Sequence, residues 1–255
     1  MVVRPAVRYF VQMRFLWAML FTLPVMAAPG PSGAPSSGSL AVVARLLEGE
    51  KGLTAKAQLE LVDASGTVAL RSKMGFAYRE GMMRLTMDLS DVTSAVLKPD
   101  SLKAMQQLGL ARTDFSLLPQ SGTLRMAYPA LRWYYELPMP KTDAAIFKAK
   151  PNVSAAADGV EKVLGLNCAR KRVTLKPKAG PPVEVRVWQA ASMKWLPVQF
   201  EVPEGKHTLR LRLMNVKRVS PEAKLFEPPL GYQKAKSMKG ILEQARKRVP
   251  PPKKK

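Results

Sequence analysis

The sequence predicts a mainly β fold with a few helices (α+β), in which a strongly curved antiparallel sheet forms an open half-barrel with helices on its concave face. Apolar and polar residues alternate with a period of two in segment after segment, which is typical of strands with one buried face. Sheets of this kind pair in antiparallel fashion and need an apolar cover on one side. Helical periodicity is confined to three segments, so few helices are present to supply that cover.

The first 27 residues have the features of a secretory signal peptide. Three arginines precede an apolar stretch over residues 15–26, and Val25 and Ala27 are small residues before the expected cleavage point. The alternative is an uncleaved membrane anchor. That stretch contains Pro24 and is shorter than the roughly 18 to 20 residues that a spanning helix needs. We therefore expect an exported, periplasmic protein whose mature chain starts at Ala28.

Residues 28–39 are rich in Pro, Gly and Ser, and predict a flexible linker before a single domain over residues 40–232. Ser39 is the expected N-cap of a helix over Leu40–Glu48. A second helix is expected to open at Asp100 or Ser101. A third covers Met238–Val249 within a basic C-terminal helix and tail, residues 233–255.

About nine strands are expected between these helices. The clearest share an apolar face and a polar face. They lie at residues 55–61, 83–89, 124–128, 183–187, 196–202 and 209–213. Turn signals separate them at residues 64–66, 119–122, 179–181 and 203–205.

The chain is strongly basic, with a formal net charge of +22 that falls to +19 without the three signal-peptide arginines. From Gln233 onwards nine Lys or Arg stand against one Glu. In an exported protein this balance disfavours nucleic acid as partner and favours an anionic membrane surface or cell-wall polymer. We name Lys247, Arg248, Lys253, Lys254 and Lys255 as candidate contacts to such a surface. A merely solubilising surface explains the charge equally well.

Catalysis has little support in the sequence. Cys168 is the only cysteine, so no disulfide can form within the chain, and we expect its thiol to be buried because free cysteines usually are. The only histidine, His207, lies in a turn. Neither a metal-ligand cluster nor a serine nucleophile motif occurs, so we expect no enzyme, no cofactor and no metal site.

Five segments occur in an order that is similar to a known family. They are Phe76–Met87, Tyr128–Tyr135, Gly165–Cys168, Val187–Trp188 with Leu196–Pro197, and Leu225–Tyr232. This order resembles the uncharacterised exported domains related to LolA and LolB, the lipoprotein-localisation carriers. The resemblance implies a LolA-like half-barrel closed by helices around an apolar cavity. For the carriers it also implies that lipid acyl chains are held there.

The candidate cavity residues are Met83, Leu85, Met87, Met126 and Tyr128, which fall on apolar strand faces. Methionine side chains adapt to irregular ligands, but they also fill gaps in a solid core, and the sequence leaves both uses open. The predicted function is a non-enzymatic binding protein for a lipid or another amphipathic envelope molecule, such as lipid or lipoprotein acyl chains. The alternative is a basic structural module that docks on an anionic polymer or lipid surface.

Overall fold

The computed structural model describes residues 37–94, 99–148, 152–177 and 181–248. The predicted signal peptide, the linker up to residue 36, the expected turn at 179–180 and the tail from residue 249 lie outside the described residues. The described helices are α1 (Ser37–Leu46), α2 (Pro99–Gln107), α3 (Lys141–Lys148) and α4 (Met238–Arg248).

Twelve strands are described, and they form one open sheet. The strands are β1 (Gly52–Val62), β2 (Val68–Arg79), β3 (Met82–Ser94), β4 (Arg112–Leu118), β5 (Thr123–Tyr128), β6 (Trp133–Pro138), β7 (Asn152–Val163), β8 (Leu166–Lys176), β9 (Val183–Ala190), β10 (Leu196–Glu204), β11 (His207–Lys217) and β12 (Gln233–Lys234).

The sheet consists of two antiparallel meanders joined at one seam. Its order is β12-β6-β5-β4-β3-β2-β1-β11-β10-β9-β8-β7, so β1 to β6 form one meander, β7 to β11 form the other, and β1 pairs with β11 at the seam. Every pairing is antiparallel except the short parallel one between β12 and β6. The sheet is open and curved, with helices against its apolar face, which confirms the predicted fold class.

Alternation along each strand builds this apolar face. In β3, Met83, Leu85 and Met87 lie on the inner side, and their neighbours Arg84 and Thr86 lie on the outer side. The pairing carries this inner row across the sheet, because Leu85 stands opposite Phe76 of β2 and Phe115 of β4. Continuous apolar rows of this kind supply most of the free energy of folding.

The start of α1 differs from the prediction. The helix begins at Ser37, so Ser39 lies in its first turn and is not the N-cap. The Ser39 hydroxyl donates to the carboxylate of Glu204 at the end of β10. The serine therefore ties the helix to the sheet.

Helix α3 was not predicted, because its sequence Lys-Thr-Asp-Ala-Ala-Ile-Phe-Lys offers few apolar residues at helical spacing. It makes the crossover from β6 to β7, from one meander to the other. Ile146 joins the central core, so tertiary packing compensates for the weak local signal.

A strap over residues 221–232 crosses the outer face of the sheet on its way from β11 to β12. Three arginines of the sheet donate to its carbonyls: Arg79 to Pro221 at 2.8 Å, Arg84 to Leu225 at 2.6 Å and Arg125 to Phe226 at 2.7 Å. Arg84 also pairs with Asp114 at 2.8 Å. Arg84, which the alternation places on the polar face, thus holds the strap down.

Candidate functional site on the concave face

The five candidate cavity residues lie together on the concave face. Met83 and Tyr128 have no exposed surface, Met126 is 2% exposed, Leu85 6% and Met87 9%. All five belong to one core cluster that also includes residues of α1 and α4. Alternation therefore placed all five on the inner face, where residues of the helices join the same cluster. That they line a ligand cavity stays a prediction.

Two stacked tyrosines lie in this interior. The rings of Tyr128 and Tyr135 are stacked, with centroids 6.5 Å apart and planes within 7°. The Tyr135 hydroxyl donates to the sulfur of Met126 at 2.9 Å. Burial raises the pKa of Tyr135 to about 12 and that of Tyr128 well above its ordinary value, so both hydroxyls stay protonated and keep the interior uncharged.

Tyr135 was missed as an interior residue by sequence reasoning. The run Trp133-Tyr134-Tyr135 places aromatic rings on both faces of β6, and alternation alone does not say which face is inner. The register decides it, because Tyr135 pairs with Met126 on the inner face. Tyr134 lies on the opposite face, where the guanidinium of Arg125 stands 5.8 Å from its ring centroid.

Helix α1 fills the hollow of the sheet. Five consecutive residues, which together make more than one full helical turn, are at most 3% exposed: Leu40, Ala41, Val42, Val43 and Ala44. A helix that is apolar on every side must be buried on every side. The uninterrupted apolar run in the sequence indicates burial on every side. The prediction covered only a helix with an N-cap at Ser39 and did not include its burial.

Polar contacts fix α1 at both ends. At the start, the Ser39 hydroxyl donates to Glu204. Just beyond the helix, Glu50 accepts two hydrogen bonds from Nη2 of Arg218, at 2.8 and 2.9 Å. Between these two points α1 is held by apolar packing, which has no directional preference and which another apolar group could replace.

The predicted surface contacts divide into three groups. Lys247 is exposed at the end of α4. Arg248 donates to the carbonyls of Ala130 and Leu131, so its guanidinium also anchors α4 to the β5–β6 turn. Lys253, Lys254 and Lys255 lie outside the described residues. Helix α4 itself packs through Ile241 and Ala245 into the same core as the sheet.

Cys168 and His207 are not brought together. Cys168 has no exposed surface and packs with Trp188, Val163 and Val198 on the outer side of the sheet. Burial raises the pKa of its thiol, and the charge of Glu161 acts in the same direction, which disfavours the nucleophilic thiolate. His207 begins β11, three strands from β8, and the register places it at the far end of β10 from Cys168: Cys168 aligns through Ala190 with Leu196, whereas His207 pairs with Glu204.

In the described part of the chain, no group of three or more His, Cys, Asp or Glu residues is arranged to hold a metal ion. The same residues contain no helix that is both long enough and apolar enough to cross a bilayer.

The sequence matches no protein-family model, and no curated protein matches it significantly. Solved structures similar to the chain include LprF from Mycobacterium bovis, with 11% identity over 81% of this chain and 100% of that one and a TM-score of 0.38. The lipoprotein LppX from Mycobacterium tuberculosis is similar at 10% identity over 72% of this chain and 97% of that one, with a TM-score of 0.39.

A third similar structure is a putative outer membrane lipoprotein-sorting protein domain from Vibrio parahaemolyticus. It is 11% identical over 75% of this chain and 96% of that one, with a TM-score of 0.24. The similar structures thus include the class of protein that the sequence resembles. Likenesses this distant say nothing about what the present chain binds.

Proposed function

We propose that this chain is an exported, non-enzymatic binding protein that holds a lipid or another amphipathic envelope molecule against the concave face of its sheet. The observation that carries the proposal is α1, a short helix of small apolar side chains that occupies the hollow of the sheet. In this proposal the apolar part of the guest takes the place of α1, and α1 covers the inner face when no guest is bound.

The chemistry of the lining supports such an exchange. Methionines from two strands, Met83, Met87 and Met126, belong to the same core cluster as α1, and their unbranched side chains repack around irregular shapes at little cost. Both tyrosine hydroxyls nearby stay uncharged, so an acyl chain would meet no buried charge there. The free energy lost when α1 leaves is offset by burial of the guest's apolar surface, at about 25 cal/mol per Å².

The direct test is the binding of a fluorescent fatty acid to the purified chain, followed by its displacement with unlabelled phospholipid. We expect saturable binding, and we expect native mass spectrometry of protein purified from the periplasm to reveal a co-purifying lipid mass. A chain that binds no fatty acid and carries no lipid would overturn the proposal.

A substitution in α1 tests whether the guest replaces this helix. Ser39→Ala removes the hydrogen bond to Glu204 and favours release of α1, so we expect about tenfold tighter fatty acid binding together with a lower melting temperature. The matched control is Ser121→Ala, which alters an exposed serine in the turn between β4 and β5. Equal affinity in both variants and the wild type would mean that α1 does not compete with the guest.

A second candidate function is docking on an anionic envelope polymer or lipid surface, and the charge of the C-terminus favours it. The last turn of α4 presents Arg246, Lys247 and Arg248, and three further lysines end the chain. In this case the apolar interior would be a packed core only, and the protein would act through its surface.

A further inference from the structure

The outer face of the sheet carries an ordered row of charges that the proposed function does not use. The row runs along paired positions of six adjacent strands, from β2 through β1, β11, β10 and β9 to β8. Arg71, Glu60, Arg210, Glu201, Arg186 and Arg172 follow one another from β2 to β8. The signs alternate until the last two positions, where two arginines face each other.

Beside this row lies a cleft of about 400 Å³ on the outer face. Five basic side chains line it (Lys162, Arg170, Arg186, Arg210 and Arg212), and two acidic ones, Glu161 and Glu201. The side chains that line the cleft therefore carry a net positive charge. The wall comes from the end of β7 and the β7–β8 turn, and the floor includes Gln199 and Trp188, which are 4% and 3% exposed.

Most of the cleft arginines already have close partners. Arg210 donates to Glu201 at 2.7 Å, and Arg212 donates to Gln199 at 2.7 Å and to Glu60 at 3.1 Å. Gln199 also lines the cleft. Its side-chain oxygen accepts from Arg212, and its amide nitrogen is the only atom of this side chain that can donate.

Arg186 is bound more loosely. Its nearest carboxylate oxygens, on Glu201 and Asp158, are 3.7 and 3.8 Å away, which is longer than a hydrogen bond. Its side chain is 54% exposed. Among the four arginines of the cleft, Arg186 is therefore the one whose donors are least used by the protein.

We propose that this cleft is a binding site for a phosphate-bearing group, with Arg186 as its main ligand and Arg170, Lys162 and the Gln199 amide around it. A guanidinium presents donors in a planar fork that matches phosphate oxygens, and several cations around one site suit a group with three oxygens and more than one negative charge. The site lies on the opposite face of the sheet from the hollow that α1 fills, so it is independent of the proposed lipid site.

The test is isothermal titration calorimetry with inorganic pyrophosphate on the full mature chain. We expect saturable binding that Arg186→Gln weakens about tenfold, because charge-assisted hydrogen bonds are lost. Arg186→Lys keeps the charge but loses the fork, so its affinity should lie between the two. The melting temperature should hardly change, since an exposed pair beyond hydrogen-bonding distance contributes little stability.

The matched control is Arg112→Gln, which removes one exposed arginine at the start of β4, on the other meander. It should bind pyrophosphate as the wild type does. Absence of saturable binding, or equal losses in Arg186→Gln and Arg112→Gln, would overturn the proposal, because only the overall positive charge would then be involved.

Vesicles identify the source of the phosphate. If Arg186→Gln weakens binding to phosphatidylglycerol vesicles as strongly as it weakens pyrophosphate binding, the site takes a lipid head group. If it affects pyrophosphate alone, the site takes a soluble phosphate ester. Both results support a phosphate site, and fatty acid binding to the inner face should be unchanged in either case.

Discussion

Glu60 is a buried acid on the outer face that three arginines share. It is 1% exposed, yet its carboxylate accepts from Arg71 at 2.7 Å, from Arg212 at 3.1 Å and from Arg210 at 3.4 Å. Burial acts to raise its pKa, but the hydrogen bond from Arg71 and the charges of the arginines outweigh that effect and hold the pKa below its ordinary value of 4.5. One carboxylate thus compensates three cations across the seam of the sheet.

Glu60→Gln should destabilise the protein by about 2–4 kcal/mol at neutral pH, because three arginines lose the negative charge that they share and one of its two acceptor oxygens. Since the folded pKa lies below 4.5, the contribution of Glu60 is complete above that pH and disappears as the pH falls through the lower, folded pKa. Urea denaturation at pH 7 and below pH 4 should show a difference from wild type that shrinks with acid.

The control for this prediction is Glu184→Gln. Glu184 is 57% exposed and makes one ion pair, with Arg172 at 3.6 Å, so its loss should cost no more than about 1 kcal/mol. A difference between Glu60→Gln and wild type that is constant from pH 7 to pH 3 would contradict the linkage argument.

At the residue scale, the sequence predicted which side of a strand each residue occupies but not its partners. Alternation correctly placed Met83, Leu85 and Met87 on the apolar face, because a side-chain period of two is a local property of the backbone. The partners of Glu60 come from β2 and β11, and Arg212 lies 152 positions away in the chain. Such pairs depend on sheet order, which no local pattern contains.

At the element scale, the strap over residues 221–232 has a clear structural role. It includes Leu225–Tyr232, the last of the five segments that carry the family resemblance. Phe226, 4% exposed, packs on Ala77 and Leu118 in a small cluster on the outer face. Arg125 donates to the carbonyl of the same residue. The segment is therefore held at Phe226 by packing and hydrogen bonds together.

Phe226→Ala should destabilise the protein by about 3 kcal/mol or more, because it removes a buried ring and leaves a cavity beneath the strap. Leu230→Ala is the matched control in the same strap, since Leu230 is 97% exposed and its loss should change the free energy of unfolding by less than about 0.5 kcal/mol. Both are measured by urea denaturation. Equal stability of the two variants would mean that the strap does not contribute to the fold.

The elements differ in how well the sequence predicted them. The long apolar run of α1 predicted a helix. Helix α3 has few apolar residues and lies in the crossover between the two meanders, where the packing of Ile146 into the core stabilises it. Strands β7 and β8 were hardest to assign to a face. Residues of β7 are exposed on both sides except for the half-buried Asp158 and the buried Val163, so no alternation marks them.

At the scale of the whole molecule, the fold class followed from the balance of strands and helices, but the state of the interior did not. Whether a curved apolar sheet surrounds a cavity or a packed helix depends on how deeply α1 enters it, which is a tertiary property. The excess of positive charge is also a property of the whole chain. It acts over distances of about a Debye length, roughly 8 Å at 0.15 M salt, and therefore depends on where the charges lie on the surface.

The last prediction concerns the three lysines at the C-terminus. Replacing Lys253, Lys254 and Lys255 by Gln should weaken binding to anionic vesicles by about tenfold or more at low salt, because each lysine near such a surface contributes about 1 kcal/mol. The difference should decrease as salt is raised, and the melting temperature should not change. Vesicle co-sedimentation at two salt concentrations measures the first effect, and calorimetry the second.

The control replaces three exposed lysines elsewhere, Lys51, Lys103 and Lys194, so that the net charge changes equally. If binding depends on the tail, the control variant should bind nearly as well as the wild type. Equal losses in both variants would mean that the chain is attracted through its overall charge, and equal binding in all three would rule out electrostatic docking. The first result would remove the argument for the tail as a docking segment. The second would leave the concave face as the remaining candidate of the two proposed functions.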